Sequence, residues 1–188
     1  MDEAELVRRL DELESREAIR ELITAYGIAN DDHDVPRLAD LFTEDAEFSA
    51  PNSNMVANGR AAIEAMYINT FKTRGPSFHW THDVTITMSK TDPDHATGLV
   101  LSHAETCPNG VASIAAMRYN DEYRRAADGI WRFAKREILF LYYAPVSEFN
   151  NVLNQTDRVY RGNDKFPADI PENLETWQSF AKQYGEDK

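Results

Sequence analysis

The chain changes its hydrophobic period once, at Gly75-Pro76, and that change divides it into two kinds of structure. Before it, Ile19, Leu22, Ile23 and Tyr26 recur at i, i+3, i+4 and i+7, and Ile63, Met66, Tyr67, Thr70 and Phe71 repeat the helical spacing. After it, Val84, Ile86 and Met88 alternate with threonines, the period-2 signature of a strand with one buried face. Further strands are predicted at Ala96–Thr106, Val111–Arg125 and Ile130–Tyr143. Pro108-Asn109-Gly110 and Ala126–Gly129 supply the turns between them. Helices first and a meander of long strands afterwards predict an α+β domain, with the helices on one face of a curved, mostly antiparallel sheet.

At 188 residues, 42% of them hydrophobic, the chain has material for one domain with a proper core. Its net charge of −12 argues against a nucleic-acid partner, which needs a basic stripe, and disfavours an anionic membrane surface. Cys107 is the single cysteine, so no intrachain disulfide forms and a reducing compartment is expected. The start, Met-Asp-Glu-Ala-Glu, lacks the basic residues and apolar run of a signal peptide, and no stretch reaches membrane-spanning length. The expectation is a cytoplasmic protein.

Leu6, Leu10 and Leu13 predict a short first helix, followed by a second over Ser15–Asn30. Asp34 is placed to cap the next helix, with Pro36 in its first turn. Ala46–Ala50 reads as a short strand and Pro51–Gly59 as a loop. Beyond Pro145 the composition loosens, and Pro171–Tyr184 reads as a helix packed through Leu174, Trp177, Ala181 and Tyr184. Residues 1–144 therefore make the domain, and 145–188 an extension that packs on it or on a neighbouring subunit.

Asp31 stands beside the apolar stripe at the last turn of the long helix. An enclosed carboxylate there loses water and faces the negative end of the helix dipole, so it needs a cationic or hydrogen-bonding partner. Two readings are open: a solvated Asn-Asp-Asp-His-Asp turn, or an acid placed for chemistry. His33 and its neighbouring aspartates lack the spacing of a metal site.

Several pieces resemble the SnoaL-like family of the nuclear transport factor 2-like superfamily, whose fold is a cone-shaped α+β barrel. They are Ser15-Arg16-Glu17-Ala18-Ile19, Tyr26 through Asp31, Leu41-Phe42-Thr43-Glu44-Asp45-Ala46, Asn58-Gly59-Arg60 and Phe78-His79. Tyr119-Asn120-Asp121-Glu122-Tyr123 and Asp128-Gly129-Ile130-Trp131 complete the set, in order, over roughly residues 10–145. Within the superfamily the pattern is similar to scytalone dehydratase, hexachlorocyclohexane dehydrochlorinase and the bile acid 7α-dehydratases. The resemblance implies a curved sheet wrapped on N-terminal helices, here with a C-terminal helical extension, and a homodimer or homotrimer.

It also implies a chemistry without metal or organic cofactor. Asp31 would support His79, which would take a proton from a carbon next to a leaving group. Tyr26 would donate a hydrogen bond to that group, and Arg136 would stabilise developing negative charge. Read from the residues alone, Tyr26 also fits a core tyrosine and Arg136 a surface partner of Glu137 or another acid. Strict alternation sets His79 opposite the Val84–Ile86–Met88 face, and a bulge or loop at the strand start would turn it inward, though the pattern does not show one. His103 is expected on the outer face. An aspartate that some dehydratases carry on the second long strand appears here as Ala104, which counts against the bile acid reaction itself.

Strand parity predicts an apolar chamber lined by Phe48, Val100, Ser102, Met117, Tyr119 and Phe140, or a core filled by the same residues. A small hydrophobic substrate, aromatic, steroid- or polyketide-like, fits it. The expected activity is a lyase of dehydratase or dehydrohalogenase type. The alternatives are an isomerase or polyketide cyclase of the same fold, and a non-catalytic subunit like the small subunit of ring-hydroxylating dioxygenases.

Overall fold

The computed structural model describes residues 1–51 and 55–185. One long helix, α1 (Glu3–Asp31), is capped by the Asp2 side chain, which accepts the Glu5 backbone N–H at 2.9 Å. The short first helix expected around Leu6, Leu10 and Leu13 is part of α1, and these leucines are exposed. No glycine or proline falls between Leu13 and Ser15 to break the backbone ladder, so the helix runs on past its buried face. That face is Ile19, Leu22, Ile23 and Tyr26, as the spacing predicts. Asp34 caps α2 (Val35–Asp40) by accepting the Arg37 N–H at 3.2 Å, with Pro36 in the first turn.

Strand β1 (Phe42–Ala50) starts earlier than the sequence suggested, and β2 (Met55–Asn58) occupies part of the segment expected to be a loop. Residues 52–54 of that loop lie outside the described residues. Helix α3 (Arg60–Phe71) follows, and the Arg60 guanidinium caps the Phe42 carbonyl oxygen through Nε at 2.8 Å and Nη2 at 2.6 Å. The meander is β3 (Phe78–Met88), β4 (His95–Thr106), β5 (Ser113–Arg125) and β6 (Trp131–Pro145). Asn109 and Gly110 both adopt positive φ in the β4–β5 turn, which suits the Asn-Gly pair read from the sequence.

The strands run in the order β2-β1-β6-β5-β4-β3, antiparallel except where β1 lies parallel to β6. The sheet is curved and open, and α1 packs in its concave face against β3 and β6. Ile19, Ile63, Phe42, Phe133 and Val100 fill the core between helices and sheet.

The C-terminal extension is not only helical. A short helix, α4 (Phe149–Val152), leads to a hairpin of β7 (Asp157–Arg161) and β8 (Asp164–Pro167), and β7 pairs with β6 at Tyr143↔Val159. Arg158 latches this piece down. It donates to the Leu141 carbonyl oxygen at 2.6 Å and grips the Glu172 carboxylate at 2.8 and 2.7 Å. Helix α5 (Glu175–Tyr184) is shorter than expected and has no buried residue, so the stripe read at Trp177 and Tyr184 is uncovered in this chain. Among the described residues no helix is long and apolar enough to cross a membrane.

Candidate active site

Asp31 ends α1, and no basic residue occupies that last turn. Its carboxylate is answered from β3 instead. Oδ1 lies 2.6 Å from His79 Nδ1, and Oδ2 accepts the His79 backbone N–H at 2.8 Å. Ser77 donates its hydroxyl to Oδ1 at 3.2 Å. Burial alone would raise the Asp31 pKa. The hydrogen bonds from the His79 ring and backbone, the His79 charge and the Ser77 hydroxyl outweigh it and hold the carboxyl below its ordinary value. An ionised Asp31 makes Nδ1 the protonated nitrogen of a neutral ring and leaves the lone pair on Nε2.

A bulge turns His79 inward. On β3 and β4, His79 faces Ala104 and Thr81 faces Ser102, but Val84 faces Val100 and Ile86 faces Gly98. One extra residue of β3 is therefore absorbed between Thr81 and Val84, which puts the odd positions before it on the same face as the even positions after it. Gly27 of α1 lies against this point: a Cβ built on it would stand 3.6 Å from the His79 Cβ.

His79 lines a cavity of about 630 Å³ between α1, α3, the sheet and the β7–β8 turn. Phe48, Met117, Tyr119 and Phe140 line it, together with Ala104, Ala115 and Ile138. Val100 and Ser102 do not line it. Val100 is wholly buried in the core, and Ser102 gives its hydroxyl to the Trp80 carbonyl oxygen at 3.0 Å. Parity fixes the face of a strand but not where along it a cavity opens.

Tyr26 also borders the cavity, and its hydroxyl lies 2.6 Å from that of Tyr67. In such a pair one hydroxyl donates to the other, and the acceptor's own hydrogen is left to be given elsewhere. Burial first, then the neighbouring Tyr26, push the Tyr67 pKa well above its ordinary value, so Tyr67 keeps its proton near neutrality.

Arg136 does not line the cavity. It is completely buried and bonds Asp121 through Nε at 2.9 Å and Nη2 at 2.7 Å. Its guanidinium is packed against the rings of Tyr26, Tyr119 and Phe133, 4.1, 4.4 and 3.9 Å from their centroids. Burial works against its charge, but the Asp121 carboxylate more than compensates and raises its pKa. The surface pairing with Glu137 is not formed, since Glu137 accepts from Asn120 at 3.0 Å and the true partner faces Arg136 across β5 and β6. Arg136 thus reaches the cavity only through the Tyr26 and Tyr119 rings.

Sequence reasoning missed several polar residues of the lining, Arg74, Thr106, Tyr143 and Arg161 among them. Arg74 donates to Asn30 Oδ1 at 2.8 Å, Thr106 and Tyr143 share a hydrogen bond of 2.8 Å, and Arg161 enters from β7. No local pattern marks Arg74, Thr106 or Tyr143, because their hydrogen bonds join distant stretches of chain. His103 is on the outer face as expected, its Nδ1 2.8 Å from His82 Nε2. Among the described residues no group of three or more His, Cys, Asp or Glu is arranged to hold a metal ion.

Comparison with known proteins agrees with this architecture. Residues 11–137 match the SnoaL-like domain. The gamma-hexachlorocyclohexane dehydrochlorinase of Sphingobium indicum is 26% identical over 138 residues, 73% of this chain and 88% of that protein. A Novosphingobium aromaticivorans structure assigned as a scytalone dehydratase superposes with a TM-score of 0.67 at 22% identity, covering 86% of this chain and 98% of that one. Another structure from the same organism, an NTF2-like protein with a cystatin-like fold, gives a TM-score of 0.60 at 32% identity over 74% of this chain and 90% of its own. With residues 11–137 of the chain matching that domain, from α1 into β6, the chain belongs to the SnoaL-like family of the nuclear transport factor 2-like superfamily.

Proposed function

We propose that the protein is a lyase of dehydratase or dehydrohalogenase type that acts, without a cofactor, on a small hydrophobic molecule such as an aromatic or polyketide-like compound. The observation that carries this reading is the 2.6 Å contact between Asp31 and His79 Nδ1 at the wall of an apolar cavity. His79 Nε2 takes a proton from the carbon adjacent to the one that bears the leaving group, and the C–H electron pair becomes the new C=C bond between them. The leaving group departs with its own bonding pair, as halide, with the proton on His79 passing to solvent, or as hydroxide that becomes water by taking up the proton His79 removed. The hydroxyl pair of Tyr26 and Tyr67 donates the hydrogen bond that the departing group needs. Arg136 is a positioning residue here, holding the Tyr26 ring from behind.

The relatives named above, one a dehydrochlorinase and one assigned as a dehydratase, support elimination as the reaction class. Product analysis on halogenated and β-hydroxy carbonyl compounds tests it. Elimination releases halide or water, whereas a product of unchanged mass is the mark of an isomerase or cyclase. The exposed Phe78, Trp80 and Leu101 on the outer sheet face suit assembly into a homodimer or homotrimer, which light scattering on the purified chain measures.

A further inference from the structure

The charge of the cavity runs against the charge of the protein. The chain carries 32 Asp and Glu against 20 Lys and Arg, yet among the described residues no Asp or Glu lines the cavity, while Arg74 and Arg161 do. The arginines that form ion pairs, Arg60, Arg125, Arg132 and Arg158 among them, all lie outside it. Arg74 bonds Asn30, a neutral partner, and forms no ion pair among the described residues.

Arg161 is the more telling of the two. Its guanidinium carbon lies over the Phe166 ring, 3.9 Å from the centroid, a cation–π contact that uses no N–H. Its Nε is buried with no hydrogen-bond partner among the described residues. A buried donor without a partner costs free energy, and the planar guanidinium is the group that takes a carboxylate through two parallel hydrogen bonds. Asp169 is the nearby acid that feels the Arg161 charge, but it makes no ion pair with it and accepts the Phe140 backbone N–H at 2.8 Å. Arg161 also lies beyond residues 11–137, on the β7–β8 hairpin outside the segment that matches the SnoaL-like domain.

We infer that the cavity takes an apolar molecule bearing a carboxylate, which the guanidinium of Arg161 binds at the β7–β8 turn while Arg74 adds to the positive potential. The inference rests on reading this cavity as the substrate site, and it makes the hairpin the element that selects the substrate.

The test is calorimetric titration at low ionic strength with 2-naphthoate and its neutral isostere 2-naphthamide, against the wild type, Arg161→Gln and Arg161→Lys. The wild type binds the acid roughly tenfold or more tightly than the amide. Arg161→Gln binds the two alike, Arg161→Lys retains part of the preference, and added salt erodes it. Thermal unfolding of each variant confirms that the hairpin is folded. Equal binding of acid and amide by the wild type, no binding of the acid, or an undiminished preference in Arg161→Gln overturns the inference. Neither probe carries a leaving group, so these titrations report on anion recognition alone, and turnover decides the elimination reading separately.

Discussion

Asp31 grips His79 at two points, one carboxylate oxygen on the ring Nδ1 at 2.6 Å and the other on the backbone N–H at 2.8 Å. The first contact sets the tautomer and the second fixes where β3 begins relative to the end of α1. Asp31→Asn keeps the shape but removes the charge that stabilises the imidazolium formed on proton abstraction. We expect kcat to fall by about 10²–10⁴-fold with a smaller change in KM, measured by steady-state kinetics on any substrate the wild type turns over.

The same grip ties stability to pH. The Asp31 pKa is lowered in the folded protein, so its contribution is present above the unfolded carboxylate value and is lost as pH falls through the folded one. The stability gap between wild type and Asp31→Asn is therefore largest near neutrality and closes below about pH 4. Urea unfolding across that range measures it, and a gap independent of pH contradicts the assignment.

Gly27 tests the packing under the histidine. A methyl group there meets the His79 Cβ at 3.6 Å, an ordinary van der Waals distance, and replaces a mid-helix glycine. Gly27→Ala is expected to stabilise the protein by about 0.5–1 kcal/mol. Gly27→Leu has no such room and is expected to push β3 from α1, lowering both the melting temperature and the activity.

Asp121 and Arg136 form an ion pair with both side chains fully buried. Asp121→Asn leaves the guanidinium charged among three aromatic rings with its counter-charge gone. Breaking one side of such a pair costs about 3–5 kcal/mol, which chemical denaturation detects as a large drop in midpoint.

Removing the Tyr67 hydroxyl probes the donor pair. Tyr67→Phe leaves Tyr26 without its 2.6 Å partner, and we expect kcat to fall by roughly tenfold with stability lowered by about 1 kcal/mol. A loss of stability with no change in kcat assigns the pair to the core instead of the reaction.

The sequence carried the architecture well because its signals are local. The stripe from Ile19 to Tyr26, the alternation at Val84–Met88 and the Asn109-Gly110 turn each declare themselves within a few residues. The orientation of His79 was not legible, since a single extra residue between Thr81 and Val84 reverses strand parity and nothing in the pattern announces it. The β7–β8 hairpin was hidden for a different reason. Its strands are short, and it is secured by the reach of Arg158 to Glu172 and to the Leu141 carbonyl, not by periodicity. The partner of Arg136 did leave a trace: Asp121 shares parity with Met117 and Tyr119, and Arg136 with Ile138 and Phe140, so opposite charges stand on the buried faces of adjacent strands.

The measurement that bears most directly on the account is the elimination rate of His79→Ala beside the wild type, on one substrate, with both melting temperatures recorded. The account predicts a loss of about 10²–10⁴-fold in kcat with a melting temperature lowered by no more than about 4 °C. A folded His79→Ala protein that releases water or halide at the wild-type rate contradicts it.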